Sequence, residues 1–195
     1  MDTERQTFLD ELFASSRAHD EALEDRLQRF RNVEPETAEL LGVLVRSMQA
    51  KRVLEIGTSN GYSTIWLADA AEAVGGSVLS LEVEPERTAL ARANLAKAGV
   101  DGFVELRTAD AGEVLAQLGD GSFDLVFLDA ERPAYVGYWP HLVRVLRDNG
   151  LLVVDNTLSH ANQLTEFSEL VYGDAQVTST LVTVGAGVLL AVKSD

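Results

Sequence analysis

The stretch Arg52-Val53-Leu54-Glu55-Ile56-Gly57-Thr58-Ser59-Asn60-Gly61-Tyr62-Ser63 decides how the chain is read. Arg52–Ile56 is a short apolar run of strand character, and Gly61–Ala73 places Tyr62, Ile65, Trp66 and Asp69 at helical spacing. Between them, Gly57 permits a tight turn and Gly61 lets the helix start approach a ligand closely. The glycine spacing is longer than that of a dinucleotide fingerprint, and the loop lacks the lysine of a phosphate-binding P-loop.

The alternation continues C-terminally. Ser77–Glu82, Phe103–Arg107, Phe123–Leu128 and Leu151–Val154 read as strands. Helices are expected from Pro85 to Ala98, with Gly99 as C-cap, and over Ala111–Leu118, Pro133–Leu146 and Ser159–Val171. In the third of these, Tyr135, Tyr138, Leu142, Val145 and Leu146 form the expected buried side. Phe123–Leu128 is almost wholly apolar, as a central parallel strand should be. The ending differs: Gln176–Val184 and Val188–Val192 flank Gly185-Ala186-Gly187, a short connection that joins antiparallel strands. The pattern predicts an α/β fold, a doubly wound, Rossmann-like, seven-stranded mixed sheet closed by a C-terminal antiparallel hairpin.

Residues 1–50 read as N-terminal accessory helices. Phe8, Leu9, Leu12 and Phe13 share a face, Leu23, Leu27 and Phe30 continue the helical period, and Pro35 opens a helix with Leu40, Leu41, Leu44 and Val45 as its stripe. Packing, a homodimer contact and a lid over the site are the roles open to them. No linker divides the chain, so residues 1–195 form one expected domain with its core in 51–195.

The 195 residues are 46% hydrophobic and 24% charged, the balance of a soluble globular protein. With no cysteine, neither a disulfide framework nor a thiolate metal site is available. No apolar run is long enough to cross a bilayer, and Met1–Glu11 lacks the apolar centre of a secretory signal, so the expected compartment is the cytoplasm. The net charge of −15 argues against a nucleic-acid partner, because no run gathers the 16 basic residues.

In open α/β sheets ligands bind beyond the C-terminal strand ends. Glu55, Glu82, Asp110, Asp129 and Asp155 each stand at such an exit. Carboxylates do not belong there without partners. Glu82 can accept two hydrogen bonds from a ribose diol, as adenosine cofactors require.

Three runs then resemble a known family, the cation-dependent O-methyltransferases, which include catechol and caffeoyl-CoA O-methyltransferases. They are Val53–Thr58 with Gly61–Thr64, Phe123–Ala130 followed by Tyr135, and Gly150–Asn156. The resemblance covers roughly residues 32–156 and implies S-adenosylmethionine as cofactor. It implies that Glu55, Gly57, Thr58 and Ser63 hold the methionine portion, with Gly61 in the same loop, and that Glu82 binds the ribose. Asp110 and Ala111 would flank the adenine, and Val33 would cover the cofactor. It further implies that Asp129, Asp155 and Asn156 bind a divalent metal, with Asp129 also near the cofactor's amino group. These are oxygen ligands only, the preference of hard cations such as Mg2+. The implied reaction is methyl transfer to a small, catechol-like phenolic acceptor.

The chain departs from the family at Arg132, where the family carries a lysine proposed as general base. Arginine stays protonated and cannot take a proton, though it can stabilise a phenolate. Three readings stay open: the metal alone acidifies the hydroxyl, His160 serves as base, or catalysis is lost and a cofactor-binding module remains. Two alternatives of other kinds are a tRNA-hydroxyuridine O-methyltransferase, disfavoured by the charge, and a nicotinamide oxidoreductase, disfavoured by the glycine spacing and hairpin. His19 and His141 read as ordinary helix residues.

Overall fold

A parallel run of strands sets the frame. The structure, a computed structural model, describes residues 1–195. In chain order the elements are α1 (Thr3–Glu21), α2 (Pro35–Met48), β1 (Arg52–Ile56), α3 (Tyr62–Val74), β2 (Ser77–Glu82), α4 (Pro85–Lys97) and β3 (Val104–Thr108). There follow α5 (Ala111–Gln117), β4 (Phe123–Leu128), α6 (Tyr135–Val145), β5 (Leu146–Val154), α7 (Ala161–Gly173), β6 (Val177–Val182) and β7 (Val188–Lys193). The strands lie in the order β3-β2-β1-β4-β5-β7-β6. β1 to β5 pair in parallel, and β7 runs antiparallel to both β5 and β6. This is the mixed seven-stranded sheet expected from the repeating pattern and the final hairpin.

Both faces of the sheet are covered because strand side chains alternate. Along β4, Leu125 and Phe127 join a core with α1, α2 and α3, through Leu9, Leu41 and Ile65. Val126 and Leu128 join the opposite core with α6 and α7, through Trp139, Leu142 and Phe167. Trp139 takes the buried position of α6, while Tyr138, expected there, is half-buried and faces a cavity. The order reverses between β1 and β4, whose ends are level, with Ile56 opposite Leu128. The two chain exits therefore open a crevice at the switch point. No helix is long and apolar enough to cross a membrane.

The N-terminal segment departs from the helical period. α1 stops at Glu21, and residues 22–34 form an extended strap with one short 3-10 turn at Arg26–Gln28. The reason lies in Asp20, whose carboxylate accepts the backbone N–H groups of Phe30 at 2.7 Å and Arg31 at 2.8 Å, turning the chain back. Leu27, expected on a buried stripe, is 68% exposed.

Candidate active site

Gly57 fixes the geometry at the switch point. Its φ is +105°, and a Cβ there would lie 2.1 Å from the carbonyl oxygen of Asp129. Only glycine lets the loop after β1 pass so close to the exit of β4. Just before it, Glu55 is fully buried and accepts hydrogen bonds from Ser63 Oγ at 2.6 Å, Thr64 Oγ1 at 2.5 Å and Ser80 Oγ at 2.5 Å. Thr58 Oγ1 sits 2.6 Å from Ser80 Oγ and extends the network. Burial pushes the Glu55 carboxyl up to about 7, against the pull of the three hydroxyl donors. Glu55 thus braces the start of α3 from behind and does not face the cavity.

A cavity of about 1040 Å3 opens over the strand exits. Gly57, Thr58, Ser63, Glu82, Asp110, Ala111, Asp129, Arg132, Asn156 and Val33 all line it, whereas Glu55, Gly61 and Asp155 do not. Gly61, at φ +88°, instead starts α3 against Ala91 of α4. Glu82 accepts the N–H of Ser59 at 2.8 Å on one oxygen and those of Val83 and Glu84, both at 3.0 Å, on the other. Its orientation is therefore set before any ligand arrives. Asp110 caps α5 by accepting the Glu113 N–H at 3.0 Å.

Asp129, Asp155 and Asn156 converge although they leave two different strands. Asn156, held at φ +63°, donates its amide N–H groups to Asp129 Oδ1 at 3.0 Å and Asp155 Oδ2 at 3.1 Å. Asp155 is 2% exposed, and its Oδ1 is buried with no hydrogen-bond partner. Burial raises the pKa of both carboxyls, and the Asp129 charge adds to the rise at Asp155. Nowhere in the chain do three His, Cys, Asp or Glu side chains gather to hold a metal; the third group here is an amide. An orphaned carboxylate oxygen beside a second carboxylate and an amide still fits a hard cation, provided the amide turns its oxygen inward. Ser159 Oγ, 3.2 Å from Asn156 Oδ1, can accept from the nitrogen after such a turn.

The strap and the end of α1 supply cavity residues that the sequence did not mark as functional. Arg26, Arg31, His19 and Phe30 line the cavity, with His19 stacked on Phe30 at 4.4 Å between ring centroids. Ser59 Oγ donates to the Phe30 carbonyl at 2.8 Å, and Arg87 reaches the carbonyls of Leu27 at 2.5 Å and Arg29 at 3.0 Å. At the far end, Arg31 pairs with Glu131 at 2.7 Å. One usable signal was present: Arg26-Leu27-Gln28-Arg29-Phe30-Arg31 puts three arginines in a chain that is otherwise strongly acidic. His160, beside Ser159 Oγ at 2.9 Å, also lines the cavity. Desolvation and the charges of Arg132, Arg26 and Arg31 lower its pKa, which favours the neutral imidazole.

The sheet order, the antiparallel seventh strand and a cavity at the switch point define the Rossmann-like methyltransferase fold. The chain belongs to the O-methyltransferase family, whose model matches residues 6–194. It is 39% identical over 140 residues to a catechol O-methyltransferase of Niastella koreensis, covering 70% of this chain and 63% of that protein. It is 41% identical to a catechol O-methyltransferase of Mycobacterium tuberculosis, covering 69% of this chain and 60% of the relative. The matches thus span about three fifths of the length of these curated relatives. Among solved structures, an O-methyltransferase of Streptomyces achromogenes involved in tomaymycin synthesis, in complex with SAM, superposes with a TM-score of 0.81 at 31% identity. That match covers 100% of this chain and 91% of that one. The O-methyltransferase of Bacillus cereus in complex with SAH gives a TM-score of 0.79 at 28% identity, covering 96% and 91%.

Proposed function

We propose that this chain transfers the methyl group of S-adenosylmethionine to a hydroxyl of a small, catechol-like phenol, with a divalent cation, Mg2+ by chemistry, as its metal. The observation that carries this reading is the orphaned, buried Asp155 Oδ1 behind Asp129 and Asn156, which line the cavity on the methyltransferase switch point. The names of the two catechol O-methyltransferase relatives and the SAM- and SAH-bound structural neighbours support it.

In this reading Gly57, Thr58 and Ser63 receive the methionine end of the donor, and Glu55 acts through Ser63 and Thr64, which it holds in place. Glu82, already oriented by three backbone N–H groups, takes the ribose hydroxyls. Asp110 and Ala111 flank the adenine, and Val33 on the strap covers the donor. Asp129, Asp155 and Asn156 would hold the cation, which when bound would lower the pKa of an acceptor hydroxyl. Arg132 keeps positive charge in the wall and takes no proton. His160, whose pKa is lowered by desolvation and then by the charges of Arg132, Arg26 and Arg31, lines the same cavity and serves as the base for the proton released from the acceptor. The strap excludes water from the reacting groups.

The test is methylation of catechol with S-adenosylmethionine and Mg2+, read as product mass, alongside calorimetry of S-adenosylhomocysteine binding. Binding without methylation under any divalent metal would reduce the protein to a cofactor-binding module.

A further inference from the structure

Arg132 is buried, 6% exposed, in the cavity wall. Its Nε donates to Gln163 Oε1 at 3.0 Å, while its two terminal nitrogens enter neither a hydrogen bond nor an ion pair. A guanidinium cannot shed its charge, and one whose stem is buried while its unpaired fork opens on a cavity is a ready partner for an anion. Asp129 and Asp155 feel its charge without touching it, and both are committed to the cation in the reading above. Arg26 and Arg31 act on the same two neighbours as Arg132, Glu131 and His160. Arg26 is exposed and unpaired; Arg31 spends one nitrogen on Glu131 and leaves its Nε buried without a partner. In a chain of net charge −15, these three arginines line one cavity and act on the same two neighbours.

We propose that the acceptor itself bears a carboxylate, which the forked end of Arg132 receives while Arg26 and Arg31 draw it in. This rests on the methyl-transfer reading and narrows its substrate class to anionic phenols. A planar two-oxygen anion matches the guanidinium fork. The donor's own methionine carboxylate shares that chemistry. It belongs, however, at the Gly57–Ser63 loop after β1, whereas Arg132 follows β4 and is joined to Gln163 of α7.

The test compares 3,4-dihydroxyphenylacetate with its neutral amide, which carries the same two hydroxyls, at saturating S-adenosylmethionine and Mg2+. The acid is expected to show a kcat/KM about tenfold or more above the amide, a margin that shrinks in high salt. Arg132→Gln should bring the ratio close to one, and Arg132→Lys should restore part of it, since charge returns without the fork. A ratio near one in the unaltered protein overturns the proposal. So does Arg132→Gln slowing both acceptors equally, which would assign Arg132 to phenolate stabilisation. If Arg132→Gln instead weakens S-adenosylhomocysteine binding and leaves the ratio intact, the carboxylate is the donor's and the proposal falls. Calorimetry of both phenols on the protein loaded with S-adenosylhomocysteine separates the two readings. Preference for the acid without turnover supports the anion site and sinks methyl transfer; equal binding sinks the anion site whatever the turnover.

Discussion

The Arg31 guanidinium stands 2.7 Å from the Glu131 carboxylate, joining the N-terminal strap to the exit of β4 across the cavity. The two side chains are 30% and 55% exposed, so the pair is screened and modest, roughly 0.2–1 kcal/mol. Glu131→Gln is therefore expected to speed tryptic cleavage within Arg26–Arg31 by about 1.4- to fivefold, with the difference vanishing in high salt. Mass mapping of the fragments over time reads it. Unchanged cleavage would show that Asp20 and Arg87 hold the strap without this pair.

Gly57→Ala should cost about 4 kcal/mol or more, because a left-handed φ and a collision with the Asp129 carbonyl act together. Gly75→Ala is the control. It has φ +70° but no atom within 4 Å of the added carbon, so strain alone applies, about 1 kcal/mol. Urea unfolding of the two variants checks the gap; equal losses would mean the loop after β1 moves aside freely.

Glu55 makes stability depend on pH. Burial pushes its carboxyl from 4.5 to about 7, so between those values the folded protein keeps a proton that the unfolded chain releases. Stability contributed by this group is present in full below the lower value, falls as pH rises through the window, and is flat above it. The drop is of the order of 3 kcal/mol at most. Asp129 and Asp155 add slopes of the same sign, so the comparison is with Glu55→Gln, whose stability curve should be shallower over that window. Parallel curves would refute the assignment.

The acidic trio predicts cation uptake measurable without any acceptor. Mn2+ or Mg2+ binding by calorimetry should weaken by about tenfold or more in Asp155→Asn, with S-adenosylhomocysteine binding retained. Because burial raises both carboxyls, cation affinity should also decline as the solution is acidified, as protons compete for the same oxygens. Removal of metal by a chelator should abolish methylation, and Mg2+ should restore it.

The local pattern carried most of the architecture. Strand exits could be located because Gly57 and Gly61 punctuate apolar runs and because Glu82, Asp110, Asp129 and Asp155 sit where a buried strand meets solvent. The orientation of Glu55 was not legible. Its partners Ser63, Thr64 and Ser80 are ordinary hydroxyl residues until the sheet brings Ser80 beside it, in the β1–β2 register. His19, read as an ordinary helix residue, lines the cavity because the strap stacks Phe30 upon it.

What the sequence determined alone was the sheet, its order of elements and the tips from which a ligand is held. Those follow from hydrophobic period and turn chemistry, which act between residues a few positions apart. The tertiary structure decided that residues 22–34 leave the helix, that Arg26 and Arg31 line the same cavity as Arg132, and that Asp155 and Asp129 share one amide. The first turns on the Asp20 carboxylate some ten residues upstream, and the others join residues far apart in the chain, as Arg31 and Glu131 are; no hydrophobic period encodes such pairings.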